Sequence, residues 1–420
     1  MKKVFPVFLL SVIILCSQSQ NGWQRIPLTY NNNLSDIQFV NEYTGYIAVG
    51  RNLAPGAVYK TVDGGLSWSL VFLTSKPMKS LYFSSANTGT VVGQRTNLRR
   101  TYTGGITWYW FAPLIGYNSI NAVHFIGDKT GWVAGDSGYV FRTDDYGANW
   151  TNISPNLKDI TWSDIYFMNL NTGIAAGESN LHSPIMRTTN AGNSWVEITG
   201  FNGSWKRISF CNEQTGFIAG TANFTGLFKT TNGGLNWFVS GNAGEYNDVY
   251  CVNEDITYAV GVNGTIHKST DGGDEWVELN SGINESLYGV YFTNALTGWV
   301  CGNNGVILKT TTGGINPIGI HNTGMEIPDK FSLEQNYPNP FNPNTNFRFS
   351  IPPVGNGRDR SVKIIIYDIL GNEITTLVNE KLNPGTYEVT WDASDYPSRT
   401  YFYRLQAGDY TETKKMVLLK

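Results

Sequence analysis

The sequence predicts an all-β chain in two parts, a seven-bladed β-propeller and then a C-terminal immunoglobulin-like β-sandwich. Three observations lead there. A corner phrase recurs with a period near forty residues, the composition is rich in Gly (46) and aromatic residues (14%) but only 15% charged, and the rhythm stops after about residue 317. A fixed period of that length marks a repeat architecture, and four short strands per unit mark a propeller blade. Gly-rich, aromatic-rich sequence of low charge suits short strands joined by tight turns.

The corner phrase is "TVDGGLSW" (Thr61 to Trp68), which returns as "TYTGGITW", "TDDYGANW", "TTNAGNSW", "TTNGGLNW" and "STDGGDEW". Its tryptophans stand at positions 68, 108, 150, 195, 237 and 276. Within each unit, alternating apolar positions predict strand A ("IxFxN"), strand B ("TGYxxG"), strand C ("GxIxKT") and strand D from the Trp onward. The phrase is hairpin chemistry between C and D. Asp or Asn turns its side chain onto the backbone amides, Gly supplies positive φ, and the Thr or Ser hydroxyl closes a further local bond.

A seventh copy, "TTTGGINP" from Thr310, has Pro317 where the Trp belongs and no strand D behind it. A ring with an open edge strand would expose unpaired amides. Near the N-terminus, "WQRIPL" (Trp23 to Leu28) reads like the "WVEI" and "WVEL" that follow the corners of blades four and six. Trp23 to Leu28 is therefore expected to supply the outer strand of blade seven and close a propeller spanning residues 21–317.

Lys2 and Lys3, the apolar run from Val4 to Cys16 and the small residues after it predict a secretory signal over residues 1–20 with cleavage near Ser19. The run is short for a membrane span, so no transmembrane segment is expected after cleavage. Leu15 is bulky where a lipoprotein signal on Cys16 wants a small residue. The other cysteines, Cys211, Cys251 and Cys301, sit in apolar strand patterns and read as buried free thiols. With 30 Lys+Arg against 33 Asp+Glu the chain offers no electrostatic footprint for nucleic acid. The four scattered histidines and the cysteine spacing predict no metal site, and no cofactor is expected.

Residues 318–330 read as a linker. Beyond them, strands of five to eight residues with Gly and Asn-Pro turns over 331–420 predict the sandwich.

Two resemblances are carried by quoted residues. The corner S/T-x-D-x-G-x-x-W, with Asp63, Asp145 and Asp271 in the acidic place and Thr103, Asn190, Asn232 and Thr312 departing from it, resembles the Asp-box (BNR) repeat. The whole unit is similar to the propeller of photosystem II stability and assembly factors. In the tail, "NYPNPFNPNT" (Asn336 to Thr345), "YDILGNEI", "YFYRL" and "TKKMVLLK" resemble in order and spacing the type A C-terminal sorting domain of the type IX secretion system, with Arg399 where that family usually has Gly. The resemblance implies export across both membranes of a Gram-negative bacterium of the Bacteroidota or a near relative. It also implies a partner, the type IX machinery, engaged through residues 331–420.

For chemistry, aligned strands A place Asp36, Ser80, Ala122, Asp164, Arg207, Asp248 and Gly289 at equivalent positions around the ring. Trp162, Trp205 and Tyr246, with Asp164, Arg207 and Asp248, form one mixed aromatic and charged sector of blades four to six. Flat rings beside carboxylates and an Arg suit a glycan or a peptide at the ring mouth; the same residues also suit plain packing between blades. "RIP" (Arg25 to Pro27) matches a short sialidase motif, but no convergent set of arginines, Tyr, Glu and proton donor accompanies it. The functional expectation is a secreted or surface-displayed non-catalytic binding or scaffold module without catalytic residues. The alternatives are a polysaccharide-active, sialidase-like hydrolase and an assembly factor for a membrane complex.

Overall fold

The computed structural model describes residues 22–28, 31–50, 55–111, 118–180, 183–200, 203–222, 225–241, 244–314, 321–322, 328–353, 361–382, 384–393 and 396–420. The expected signal peptide, with Ser19, lies outside them. The chain forms two compact units, Met1–Gly314 and Ile315–Lys420.

The first unit contains seven four-stranded antiparallel sheets. Their innermost strands are Leu34–Phe39, Met78–Phe83, Ile120–Ile126, Thr161–Phe167, Ser204–Phe210, Tyr246–Cys251 and Leu287–Phe292, strand A of blades one to seven. Blade seven takes its outer strand from the N-terminus: Gln24 pairs with Lys309, Arg25 with Leu308 and Ile26 with Ile307. Trp23 is buried, meets Phe292 edge-on at 6.2 Å, and lies so close to Gly314 that a Cβ there would sit 2.7 Å from its ring.

The corners follow from hydrogen-bond bookkeeping. In the first, Asp63 accepts from Leu66 N and Ser67 N at 2.9 and 3.0 Å and from the Thr61 hydroxyl at 2.7 Å, while Gly65 N donates to that hydroxyl at 2.9 Å. The departures do the same work: Asn190 and Asn232 accept through their amide oxygens, and Thr103 accepts from Thr107 N through its hydroxyl. The corner amides and the Thr or Ser hydroxyl are thus satisfied locally, as a tight turn requires.

Blades pack through aromatic stacks. A strand-B ring lies on the strand-A Phe of the next blade: Tyr46 on Phe83 and Trp299 on Phe39 at 3.5 Å, Trp132 on Phe167 and Tyr258 on Phe292 at 3.7 Å. Blade two has Thr90 at the strand-B position, and Arg100 substitutes there. Its guanidinium bonds Thr90 and lies 4.6 Å from the Phe125 centroid. In blade six, Cys251 stands where other blades have this Phe, and it forms a disulfide with Cys211 of blade five, Cα to Cα 5.2 Å. The free-thiol reading is therefore corrected for these two residues: 40 residues is one repeat, which sets the cysteines side by side. Cys301 is buried and forms no disulfide among the described residues.

The second unit packs two four-stranded sheets face to face around Phe347, Phe349, Ile364, Tyr403, Leu405 and Met416. His321 and Asn322, expected in the linker, instead pair with Glu388 and Tyr387 in its first sheet. The sorting motifs interlock: the buried Asn336 N donates to the Tyr403 hydroxyl (2.8 Å), and Phe341 forms a parallel bridge to Leu418.

Candidate functional site

Every strand A carries one irregularity. Its apolar residues are spaced by three and then by two, as in Leu34, Ile37 and Phe39, and the three-residue step is a β-bulge: pairing shifts between Leu34 and Asp36, Met78 and Ser80, and so on around all seven blades. The bulge turns one side chain per blade out of the ladder. Ser35, Lys79, Asn121, Ser163, Lys206, Asn247 and Tyr288 together line a cavity of ≈ 550 Å³ at the central mouth, with Arg207 among the lining residues.

The same bulge corrects the aromatic half of the predicted sector. Trp162, Trp205 and Tyr246 hold the place of Leu34, the residue before the bulge, and point into the blades; they are 0%, 0% and 1% exposed. None is a platform for a ligand.

Asp164, Arg207 and Asp248 do come together, with Asp36 as a fourth member. The Arg207 guanidinium lies 2.9 Å from Asp36, 3.3 Å from Asp248 and 4.0 Å from Asp164. Each carboxylate also clasps the next blade. Asp36 accepts from Leu81 N (3.0 Å) and the Ser80 hydroxyl (2.9 Å), Asp164 from Ile208 N (2.7 Å), and Asp248 from Val290 N (2.9 Å). Burial pushes the carboxyls of Asp164 and Asp248 up to about 6 and about 7, because one guanidinium shared among three carboxylates does not offset their desolvation. The cluster is a brace across the channel, its charge spent on holding blades together.

The mouth above it is hydrogen-bonding surface. Lys79 donates to Asn121 at 2.5 Å, and the Asn121 amide group donates to Asp136 (3.0 Å) and Trp162 O (2.8 Å). Lys206 reaches the Ser204 hydroxyl at 2.6 Å and Glu178 at 3.5 Å, and Ser204 bonds Glu178 in turn. Glu178 is the one acid among the described lining residues. Lys79 and Lys206 stand outside the sector expected from the sequence. The three-then-two apolar spacing was the signal that singles out all seven bulged positions. Among the described residues no group of three His, Cys, Asp or Glu is placed to hold a metal ion.

Residues 335–419 match the secretion system C-terminal sorting domain, and residues 71–199 and 238–311 match the photosynthesis system II assembly factor YCF48. The chain is a propeller resembling these assembly factors, joined to a type IX sorting domain. No curated protein matches it in sequence. Among solved structures it is similar to YCF48 from Cyanidioschyzon merolae (20% identity, TM-score 0.56, covering 69% of this chain and 98% of that one). YCF48 bound to a D1 peptide aligns at 18% identity and TM-score 0.57, over 70% and 98% of the two chains. PorZ, a surface component of the type IX system of Porphyromonas gingivalis, aligns at 12% and 0.56, over 94% and 61%. At these identities the structural likeness is one of fold. The sorting domain makes the protein a secreted or cell-surface one of a Gram-negative bacterium, and implies interaction with the secretion machinery.

Proposed function

We propose that the propeller is a non-catalytic binding module presented outside the cell, and that its central mouth takes a polypeptide segment. The observation that carries this is the ring of bulged side chains. Seven blades contribute two lysines, two asparagines, two serines and a tyrosine to one mouth, a mixture that can donate to and accept from peptide groups from several directions at once. The peptide-bound state of a YCF48 structure supports the same class of ligand. Hydrolysis would need an acid and a partner carboxylate facing a substrate. Here Asp36, Asp164 and Asp248 are engaged by main-chain amides and Arg207, and Glu178 by Lys206 and Ser204.

The test is selection of peptides from a displayed library on the immobilised protein, followed by titration of the best binder against wild type and Lys79→Ser/Lys206→Ser. The double variant is expected to bind at least about tenfold more weakly, as loss of two charged donors implies. Equal binding would refute the reading, and so would turnover of polysaccharide reporters that disappears in Asp164→Asn.

A further inference from the structure

The channel has a second end. Strands A run from the bulges to the A–B turns, so these turns ring the face opposite the mouth. Where blades six, seven and one meet there, a recess of ≈ 570 Å³ is lined by Tyr250, Tyr291 and the turn residues Asn41, Glu42, Asn253 and Asn294, with Phe39 and Phe292 beneath. That volume lies within the range of about 300–1,000 Å³ usual for small-ligand sites.

The polar groups of this recess have a fixed direction. Asn41 Oδ1 accepts from Tyr43 N and Thr44 N at 2.9 and 2.7 Å, Asn253 Oδ1 from Asp255 N and Ile256 N at 3.0 and 2.8 Å, and Asn294 Oδ1 from Leu296 N and Thr297 N at 2.9 and 2.8 Å. Two amide donors on each oxygen decide which way the carboxamide faces, so each NH2 must point away from its turn. Among the described residues these three NH2 groups donate to nothing in the protein. Glu42 is exposed beside them and its carboxylate makes no ion pair among the described residues. Below lie the rings of Tyr250 and Tyr291, centroids 4.7 Å apart and tilted by 46°.

We infer that this recess is a second binding site, for a neutral oligosaccharide. A pyranose ring offers an apolar C–H face to stack on an aromatic ring and a rim of hydroxyls that accept from NH2 groups and donate to a carboxylate. The recess presents those partners in that arrangement, aromatic below and three donors with one acceptor at the rim. Among its described lining residues there is no Lys or Arg, which disfavours an anionic ligand.

The experiment is calorimetric titration of the full chain with cellotetraose, mannotetraose, xylotetraose and maltotetraose, and with tetragalacturonate as the charged counterpart. Asn253→Asp/Asn294→Asp keeps the oxygen that holds each turn and removes two donors. It is expected to weaken binding of the best neutral probe by at least about tenfold. Asn169→Asp, the same change in a blade-four turn outside the recess, and Lys79→Ser/Lys206→Ser should bind as wild type does. Glu42→Gln, at an exposed residue, supplies a second readout with a loss of about threefold or more. The inference is overturned if none of the neutral probes binds at millimolar concentration, if the charged probe binds as tightly, or if both recess variants match wild type.

Discussion

Replacing Trp23 by Ala should open the ring at the seam between the first and last strands. Trp23 is 3% exposed, stands edge-on to Phe292 at 6.2 Å, and packs in one cluster with Val290, Val300, Leu308 and Tyr258. Its indole N–H has no partner among the described residues, so truncation removes packing and leaves no orphaned acceptor there. Burial and cavity terms for a Trp→Ala change come to about 3–5 kcal/mol. At about 2 °C per kcal/mol for a unit this large, thermal unfolding should fall by about 6–10 °C. Trp110, 66% exposed, supplies the control: Trp110→Ala should cost no more than about 0.5 kcal/mol. Hydrogen exchange then separates closure from packing in general. The strand Gln24–Ile26 has only three residues and pairs with Ile307–Thr310. Without Trp23 to anchor it, the amides of residues 307–310 should exchange faster, whereas Trp195→Ala in blade four should leave them protected. If Trp23→Ala melts with Trp110→Ala, or those amides keep their protection, the closure argument fails.

Asp63→Asn should be nearly neutral because Asn190 and Asn232 already serve in the same turn, while Asp63→Ala should cost about 1–2 kcal/mol by leaving Leu66 N and Ser67 N without acceptors; urea titration reads the difference. Reduction of Cys211–Cys251, which spans 40 residues, should lower stability by about 2–4 kcal/mol, and Cys251→Ala should be insensitive to dithiothreitol. Asp164 and Asp248 have folded-state values, about 6 and about 7, above the ordinary 3.8, so the stability they contribute is complete below about pH 4 and lost as pH rises through 6 to 7. Urea midpoints measured between pH 5 and 8 should fall less steeply in Asp164→Asn/Asp248→Asn than in wild type, and an unchanged slope would contradict the shifts. A chain ending at Gly319 should accumulate in the periplasm, and fractionation that finds it at the surface in normal amounts would remove the role given to the tail.

The repeat made the propeller legible because its corner is a local device: each Asp, Asn or Thr bonds amides within four residues, so the pattern is written in consecutive sequence. Ring closure was legible for the complementary reason, a corner without a Trp and a Trp without a corner. What could not be read was anything decided between blades. Asp164 was aligned with Arg207 and Asp248, but its bond to Ile208 N crosses to the next blade and looks in sequence like any exposed carboxylate. The bulge misled the reading of Trp162, Trp205 and Tyr246, since strict alternation places them outside the ladder when the three-residue step puts them inside. The disulfide was within reach, because cysteines one repeat apart must lie on adjacent blades.

The row that begins with Asp36 shows how a symmetric ring accommodates charge. Seven copies of one carboxylate would repel one another across the channel, and the chain instead holds Asp, Ser, Ala, Asp, Arg, Asp and Gly at these positions. Three carboxylates clasp three blade junctions, and a single guanidinium answers all three. Ser80 lies within 3.5 Å of Arg207 although 127 residues away, and Gly289 is where blades seven and one pack too closely for a side chain, since a Cβ there would crowd Cys301 Sγ at 2.9 Å and Ile37 at 3.1 Å. Among the described residues, the charges at the channel's centre are thus paired with one another. The two proposed recognition sites therefore lie at its ends, where the bulged side chains tie neighbouring blades while lining the mouth, and the turn asparagines hold their turns through Oδ1 and keep their NH2 groups clear of them.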